Sequence, residues 1–140
     1  EKGIYFKPLL ECRHRVLLLV YRSRCLTKHL QDRKIQAYLY SIGYPSSASL
    51  DETLTYLGKR IKENSNFPHE IGLFLGYPIE DVLDFLWHRG KNYKLSGYWK
   101  VYSNEKRAKK IFNKYTKCRN AVCSSLERDD KSIAKVFGSA

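Results

Sequence analysis

The chain has 140 residues, of which 43% are hydrophobic and 14% aromatic, so it can bury a core of its own and is not an intrinsically disordered protein. No apolar stretch approaches the roughly 18 residues that a membrane-spanning helix needs, and no signal peptide is visible. The net charge of +12 favours an anionic partner such as nucleic acid, anionic lipid or an acidic protein.

The cysteines and the beginning of the chain support two further expectations. The four cysteines include no CxxC pair, so we predict reduced thiols in a cytoplasmic protein and no metal site. Two disulfide bridges in an extracellular protein are the alternative. The sequence begins at Glu1 and contains no methionine, from which we expect a fragment or processed product with an N-terminal truncation.

Two β-type runs near the start predict a hairpin. The first, GIYFKPLL, covers residues 3–10, and Pro8 restricts it to an edge strand because proline cannot donate a ladder hydrogen bond. The second, RVLLLVYR, covers residues 15–22. It is apolar at consecutive positions, which is typical of a central strand buried on both faces.

Two helices follow the hairpin in the prediction. Apolar residues recur at helical spacing over residues 26–42, and Gly43 then suits the end of a helix. The sequence LDETLTYLGKRIKE, residues 50–63, predicts the second helix. Ser49 and Glu52 have the spacing of a capping box at its start.

The second half predicts alternating strands and helices. The apolar run EIGLFLG at residues 70–76 contains two glycines, which favours a buried strand over a helix. Residues 78–90 predict a helix, residues 97–103 a strand, and residues 105–126 a long helix that Ser103 or Asn104 caps.

The order β-β-α-α-β-α-β-α predicts a single layered α/β domain with a mixed sheet of about four strands packed with about four helices. We place this domain over residues 1–137, with a further short helix near 132–137. The terminal residues 138–140, GSA, are interpreted as an appended remnant outside the fold.

His69, Glu70 and Cys118 are the candidates for chemistry. A zinc-protease motif HExxH is absent because Leu73 occupies the position of the second histidine. As neighbours on a strand, His69 and Glu70 would face opposite sides, so each would need its own partner as a base or ligand. We favour polar residues at a strand entrance, and for Cys118 a buried apolar role over a reactive thiolate.

Arg119 does not fit the helical pattern around it. On an ideal helix it falls within the apolar stripe, so we expect either that the helix bends or ends near Cys118, or that Arg119 is buried against a carboxylate. Glu70 and Glu11 are the candidate partners.

The strongest functional signal is the basic segment from Arg89 to Arg119, which has eleven basic residues and one acid, Glu105, for a net charge of +10. If residues 98–102 form a strand, Tyr98, Lys100 and Tyr102 share one face that can stack on bases and contact phosphate. The following helix carries a ridge of lysines opposite its apolar stripe: Lys106, Lys109, Lys110, Lys114 and Lys117. An ordinary solvated helix face is the alternative, and we weigh the two about equally.

Three segments resemble a known family: FPHEIGLFLGYP at residues 67–78, GYWKVY at 97–102 and KYTKC at 114–118. They resemble a bacterial domain family of unknown function, common in anaerobic Gram-positive bacteria, and the similarity covers most of residues 3–123. The resemblance implies an additional N-terminal segment with a His-Cys pair, which this chain lacks. It also implies a link to flavodoxin-like genes and iron response, hence redox or metal physiology.

Two functional hypotheses follow. The first is a non-enzymatic cytoplasmic binding module whose basic Lys/Tyr face meets nucleic acid or an acidic protein, a flavodoxin-like protein being one such partner. The second is a small redox- or metal-linked accessory protein or enzyme that uses His69, Glu70 and Cys118. The sequence identifies no cofactor for either hypothesis.

Overall fold

A computed structural model describes residues 3–64 and 67–129 of the chain. Over these residues the protein is a mixed α/β structure with six helices and two small antiparallel sheets of two strands each. The strands are β1 Ile4–Cys12, β2 Arg15–Arg22, β3 Leu95–Ser96 and β4 Lys100–Val101. The helices are α1 Ser23–Leu30, α2 Arg33–Ser41, α3 Leu50–Glu63, α4 Ile71–Phe74, α5 Ile79–Trp87 and α6 Glu105–Asp129.

The mixed α/β class is confirmed, whereas the predicted sheet of about four strands is not formed by the described residues. The main error is the segment EIGLFLG, which forms the single helical turn α4 instead of a strand. Gly72, Leu73 and Phe74 are all buried there. Consecutive apolar residues are expected in a buried strand and in a fully buried helical turn alike, so periodicity could not separate the two.

The β1–β2 hairpin is confirmed, with Tyr5 opposite Tyr21 and a register shift between Pro8 and Leu10. This β-bulge adds one residue to β1 and accompanies the burial of Leu9. Helix α3 packs against β1 at Gly58, where an added Cβ would lie 2.8 Å from the carbonyl oxygen of Leu9. The backbones therefore approach closely because residue 58 has no side chain.

The helix predicted over residues 26–42 is two helices, α1 and α2. Asp32 begins the second, because its carboxylate accepts hydrogen bonds from the backbone N–H groups of Lys34 at 2.8 Å and Ile35 at 3.4 Å. The start of α3 agrees with the prediction in detail. Ser49 and Glu52 form the reciprocal capping box that their spacing indicated.

The chain divides into two compact units, an N-terminal unit of residues 3–82 and a C-terminal unit that begins at Leu83, so the boundary falls within α5. The single domain over residues 1–137 stays a prediction. The helix expected near residues 132–137 and the terminal residues 138–140 lie outside the described residues. Within the described residues, no helix is long and apolar enough to cross a membrane.

The N-terminal unit encloses the main hydrophobic core, in which α1 packs against β2 and α3 packs against β1. Its most deeply buried members include Ile35, Leu54, Leu57 and Leu73, each with at most 2% of its surface exposed.

The C-terminal unit is organised around an aromatic cluster. The Trp99 ring meets the Phe112 ring edge-on, with centroids 4.6 Å apart, and the Tyr98 ring meets the Tyr115 ring edge-on at 5.2 Å. Phe112 covers Gly97 so closely that an added Cβ would lie 2.2 Å from the ring. These contacts fix one side of α6 against the β3–β4 segment and leave the opposite side of the helix to solvent.

Candidate functional site

Helix α6 carries the predicted ridge of lysines on its solvent-exposed side. At 100° per residue, Lys106, Lys110, Lys114 and Lys117 fall within an arc of about 80° and extend along about 17 Å of the helix axis. All four side chains are exposed, and we refer to them as the lysine ridge. Lys109 is also exposed and lies beside the ridge, where its Nζ is 3.6 Å from a carboxylate oxygen of Glu105.

The apolar stripe of the same helix explains why the ridge faces outward. Ala108 is buried, and Phe112 and Tyr115 pack against Trp99 and Tyr98 in the aromatic cluster. Because side chains three and four residues apart share one face, these contacts direct positions 106, 110, 114 and 117 to the other side. The ridge thus follows from the amphipathic pattern that the sequence predicted.

The structure does not bring Tyr98, Lys100 and Tyr102 together on an accessible face. Tyr98 is 37% exposed and its hydroxyl lies 3.1 Å from that of Thr116, whereas Tyr102 is only 7% exposed. The Tyr102 ring stacks on the His88 imidazole, with centroids 5.5 Å apart and an interplanar angle of 10°. The strand is shorter than predicted, covering Lys100–Val101, so strict alternation does not extend to Tyr102.

Lys100 makes its contacts inside the C-terminal unit. Its ammonium group donates a hydrogen bond of 2.6 Å to the carbonyl oxygen of Gly90. The same group lies 4.9 Å from the ring centroid of Tyr93 and 5.8 Å from that of Phe85, in cation–π geometry. These contacts assign Lys100 a structural role, so it does not belong with the ridge lysines as a contact for an external anion.

His69 and Glu70 occupy a turn before α4 and not the entrance of a strand. His69 is exposed, whereas Glu70 is only 4% exposed. Oε1 of Glu70 accepts a hydrogen bond from Nε of Arg60, and the hydroxyl of Tyr44 donates to the same oxygen at 3.4 Å. The two neighbours therefore lie in different environments. Glu70 is buried and pairs with Arg60, a partner that the sequence did not identify.

Arg60 joins three parts of the N-terminal unit. In addition to Glu70, its Nη1 donates to the carbonyl oxygen of Ile42 at 3.2 Å, and its Cζ lies 5.8 Å from the Tyr44 ring centroid. No local pattern marks this arginine, because it lies in the last turn of α3, where a basic residue is ordinary. Its role depends on the path of the chain between α3 and α4.

The buried pair changes the proton affinity of the tyrosines around it. Burial raises the pKa of the Tyr44 hydroxyl far above its ordinary value, and the negative charge of Glu70 raises it further. Burial, followed by Glu70, also raises the pKa of Tyr38. Both hydroxyls therefore stay protonated to a higher pH than an ordinary tyrosine does, and Tyr44 donates a hydrogen bond to Glu70.

Cys118 and Arg119 differ from the predictions. Cys118 is exposed on α6, so the buried apolar role expected for it is wrong. Cys12, Cys25 and Cys123 are also exposed free thiols. Arg119 is exposed as well, and α6 continues past it to Asp129, so neither a helix end near Cys118 nor burial against a carboxylate occurs. A bend of the helix near Cys118 stays a prediction.

Groups of metal-ligating side chains and clefts are two further kinds of candidate site. Among residues 3–64 and 67–129, no three His, Cys, Asp or Glu side chains are grouped closely enough to hold a metal ion. A cleft of about 570 Å³ lies in the N-terminal unit between α1, α2 and the start of α3, and Arg33 is its only charged lining residue among those described. None of the sequence-predicted site residues lines this cleft.

A family model described as "Protein of unknown function (DUF3793)" matches residues 1–137, so the chain belongs to that family. The resemblance to a domain family of unknown function is therefore confirmed. No curated protein and no solved structure matches the chain.

Proposed function

We propose that the protein is a non-enzymatic binding module that holds a polyanionic partner on the lysine ridge of α6. The observation that carries the proposal is a row of four exposed lysines on one helix face, opposite a stripe fixed by the aromatic cluster. Within the described residues, Glu105 is the only acid between Arg89 and Arg119, so the positive charge of this segment is little offset.

The spacing of the ridge supports a partner with regularly repeated negative charges. Adjacent ridge positions lie about 5 to 6 Å apart along the axis, because the helix rises 1.5 Å per residue. The phosphate backbone of nucleic acid presents such a repeat, and lysine contacts it as a flexible point charge without reading bases. An acidic protein of the flavodoxin type is the other partner class that this charge fits.

The placement of the aromatic residues narrows the proposed mode of binding. Tyr102 is buried and Lys100 is held by Gly90, Tyr93 and Phe85, so the proposal no longer includes base stacking on a Tyr98–Lys100–Tyr102 face. Binding through phosphate contacts alone is sequence-independent and sensitive to salt. We therefore expect little preference among nucleic-acid sequences.

The test compares two charge-matched double variants by fluorescence anisotropy with a labelled single-stranded oligonucleotide. Lys110→Gln/Lys114→Gln removes two ridge charges, whereas Lys59→Gln/Lys62→Gln removes two exposed charges from α3. The ridge variant is expected to reduce the slope of log affinity against log salt by about 1.4, since each lost contact on a single strand contributes about 0.7. The α3 variant should leave that slope unchanged.

Three outcomes are informative about the partner. Equal losses of oligonucleotide affinity in the two variants would show that the net charge of the protein, and not the lysine ridge, determines binding. Binding of an acidic protein in place of the oligonucleotide, with the same dependence on Lys110 and Lys114, would keep the ridge and change the partner class. Absence of salt-sensitive binding to either partner would contradict the proposal.

The second hypothesis, a redox- or metal-linked protein using His69, Glu70 and Cys118, stays a prediction. Glu70 is its weakest member, because the Arg60 guanidinium and the Tyr44 hydroxyl already occupy the buried carboxylate.

A further inference from the structure

The hairpin has an outer face that is apolar and uncovered in the N-terminal unit. Residues directly opposite each other in an antiparallel pair point to the same side, and successive residues alternate. The pairs Phe6–Val20 and Pro8–Leu18 therefore share one side of the hairpin. Its apolar residues, which we call the outer hairpin face, are Ile4, Phe6, Pro8, Val16, Leu18 and Val20.

Along β2, burial separates this face clearly from the inner one. On the inner side Leu9 and Leu19 belong to the core, and Leu17 packs against it. On the outer side Val16 is 56%, Leu18 46% and Val20 44% exposed. Three adjacent aliphatic side chains of one strand are thus left in water, although the sequence pattern of β2 is that of a strand covered on both faces.

Positive charge surrounds the same face. Between residues 11 and 24 the chain carries four arginines and one carboxylate, Glu11, for a net charge of +3. The arginines flank both ends of the apolar run and all four are exposed: Arg13, Arg15, Arg22 and Arg24. The surface therefore combines an apolar centre with a cationic rim.

We propose that the outer hairpin face docks on the surface of an anionic lipid bilayer. A bilayer offers negative head groups directly above an apolar layer, which matches arginines at the rim and aliphatic side chains at the centre. Arginine suits the boundary because its methylene stem can lie along apolar surface while the guanidinium contacts phosphate. The hairpin would lie flat, with about 30 Å of strand along the membrane.

Charge argues against a second copy of the chain as the occupant of the outer hairpin face, and the apolar side chains argue against nucleic acid. A second copy would bring another net charge of +3 against the first, and Glu11 is the only acid of residues 11–24 to offset it. Nucleic acid would satisfy the arginines but would leave Val16, Leu18 and Val20 without an apolar surface to contact. This proposal is independent of the lysine ridge, because it uses other residues in the other unit.

The experiment measures co-sedimentation with vesicles of pure phosphatidylcholine and of equal parts phosphatidylcholine and phosphatidylserine. We expect the intact chain to bind the mixed vesicles, to lose binding as salt rises, and to bind the neutral vesicles much more weakly. The central variant is Val16→Thr/Leu18→Thr/Val20→Thr. It removes apolar surface and places β-branched threonine, which favours a strand, at all three positions, and we expect its affinity to fall by tenfold or more.

Two controls separate docking from loss of folding or charge. Tyr40→Ser removes an aromatic side chain that is 66% exposed on α2, away from the hairpin, and should bind like the parent. Lys59→Gln/Lys62→Gln removes two exposed charges that belong neither to the outer hairpin face nor to the lysine ridge, and it should also retain vesicle binding, whereas Arg13→Gln/Arg15→Gln should lower it by roughly fivefold for each charge. Circular dichroism of every variant shows whether the fold is kept, and unchanged spectra with lost binding support docking.

The proposal is overturned by any of three results. The parent chain binds neither kind of vesicle; or the threonine variant and Tyr40→Ser lose binding equally; or light scattering shows a dimer that the threonine variant dissociates while vesicles have no effect. The last result would assign the outer hairpin face to a second copy. If Lys110→Gln/Lys114→Gln loses oligonucleotide binding and the threonine variant keeps it, the two proposals stand or fall separately.

Discussion

Arg60 donates a hydrogen bond from Nε to Oε1 of Glu70, and this ion pair connects the last turn of α3 to the turn that precedes α4. The Glu70 side chain is 5% exposed and that of Arg60 is 26% exposed. A buried pair of this kind contributes little over a pair of apolar residues, but removal of one partner leaves the other charge without compensation.

Glu70→Gln is therefore expected to lower the free energy of unfolding by about 2 kcal/mol, below the range for fully buried pairs because part of the Arg60 side chain is exposed. The matched control is Glu63→Gln. In the parent, a carboxylate oxygen of Glu63 lies 3.9 Å from Nζ of Lys59, and the two residues form an exposed pair within α3. That variant should change stability by at most about 0.5 kcal/mol. Urea denaturation measures both, and equal effects would contradict a stabilising role for the pair.

Because of Tyr44, we expect the free energy of unfolding to decrease as the pH rises above about 10. Its pKa in the fold is raised by burial and by Glu70, whereas an unfolded tyrosine ionises near pH 10. Above about pH 10 the unfolded chain loses a proton that the folded chain keeps, so the contribution of Tyr44 is complete below that pH and is lost as pH rises. We expect the stability difference between the parent and Tyr44→Phe to shrink by up to about 1.4 kcal/mol per pH unit there.

The comparison uses denaturation at about pH 9 and about pH 11, on either side of the unfolded tyrosine pKa. Tyr40→Phe is the control, since Tyr40 is 66% exposed and the same atoms are removed. A difference between the parent and Tyr44→Phe that does not vary with pH would show that the buried hydroxyl is not what couples stability to pH.

Gly58→Ala tests the close approach of α3 and β1. Alanine favours a helix over glycine by about 1 kcal/mol, which alone would stabilise the protein. The added Cβ would lie 2.8 Å from the carbonyl oxygen of Leu9, so the helix and strand must separate, and we expect a net loss of about 1–2 kcal/mol. Thr55→Ala, at an exposed position of the same helix, should be close to neutral. A stabilised Gly58→Ala protein would contradict the close packing.

Lys100 and Lys110 are expected to give opposite results when each is replaced by methionine. Lys100→Met loses the hydrogen bond to Gly90 and the contacts with two rings, so unfolding should become easier by about 1–2 kcal/mol while anion affinity stays unchanged. Lys110→Met should leave stability nearly unchanged and weaken anion binding. Thermal unfolding and anisotropy on the same two samples provide the measurement. Weaker anion binding by Lys100→Met would return Lys100 to the binding surface.

Short-range signals predicted the elements that depend on neighbouring residues. The capping box of Ser49 and Glu52 closes within one turn, and the stripe of α6 is set by helical periodicity, so α3 and the lysine ridge agree with expectation. Asn104 likewise caps α6 by accepting from the Arg107 N–H at 2.9 Å. Asp32 was an available local signal for a second helix start that the pattern of apolar residues obscured.

The predictions that were wrong concern features that depend on tertiary contacts between segments distant in the sequence. Residues 71–76 of the segment EIGLFLG carry no polar side chain, and Gly72, Leu73 and Phe74 are buried in succession, so the segment has no polar face from which a helical period could be read. The pairing of Glu70 with Arg60 and the enclosure of Lys100 by Tyr93 and Phe85 require the tertiary path. Tyr102 was assigned to an exposed face by strand alternation, which does not apply once the strand ends at Val101.

The lysine ridge also has a consequence for the helix that carries it. Lys106, Lys110 and Lys114 follow one another at intervals of four residues, the spacing at which like charges repel and each pair costs a few tenths of a kcal/mol. In the absence of a counter-charge, α6 is therefore less stable than its length of 25 residues alone would make it. If an anion binds along the ridge as proposed, it offsets this repulsion, so we expect binding to stabilise α6.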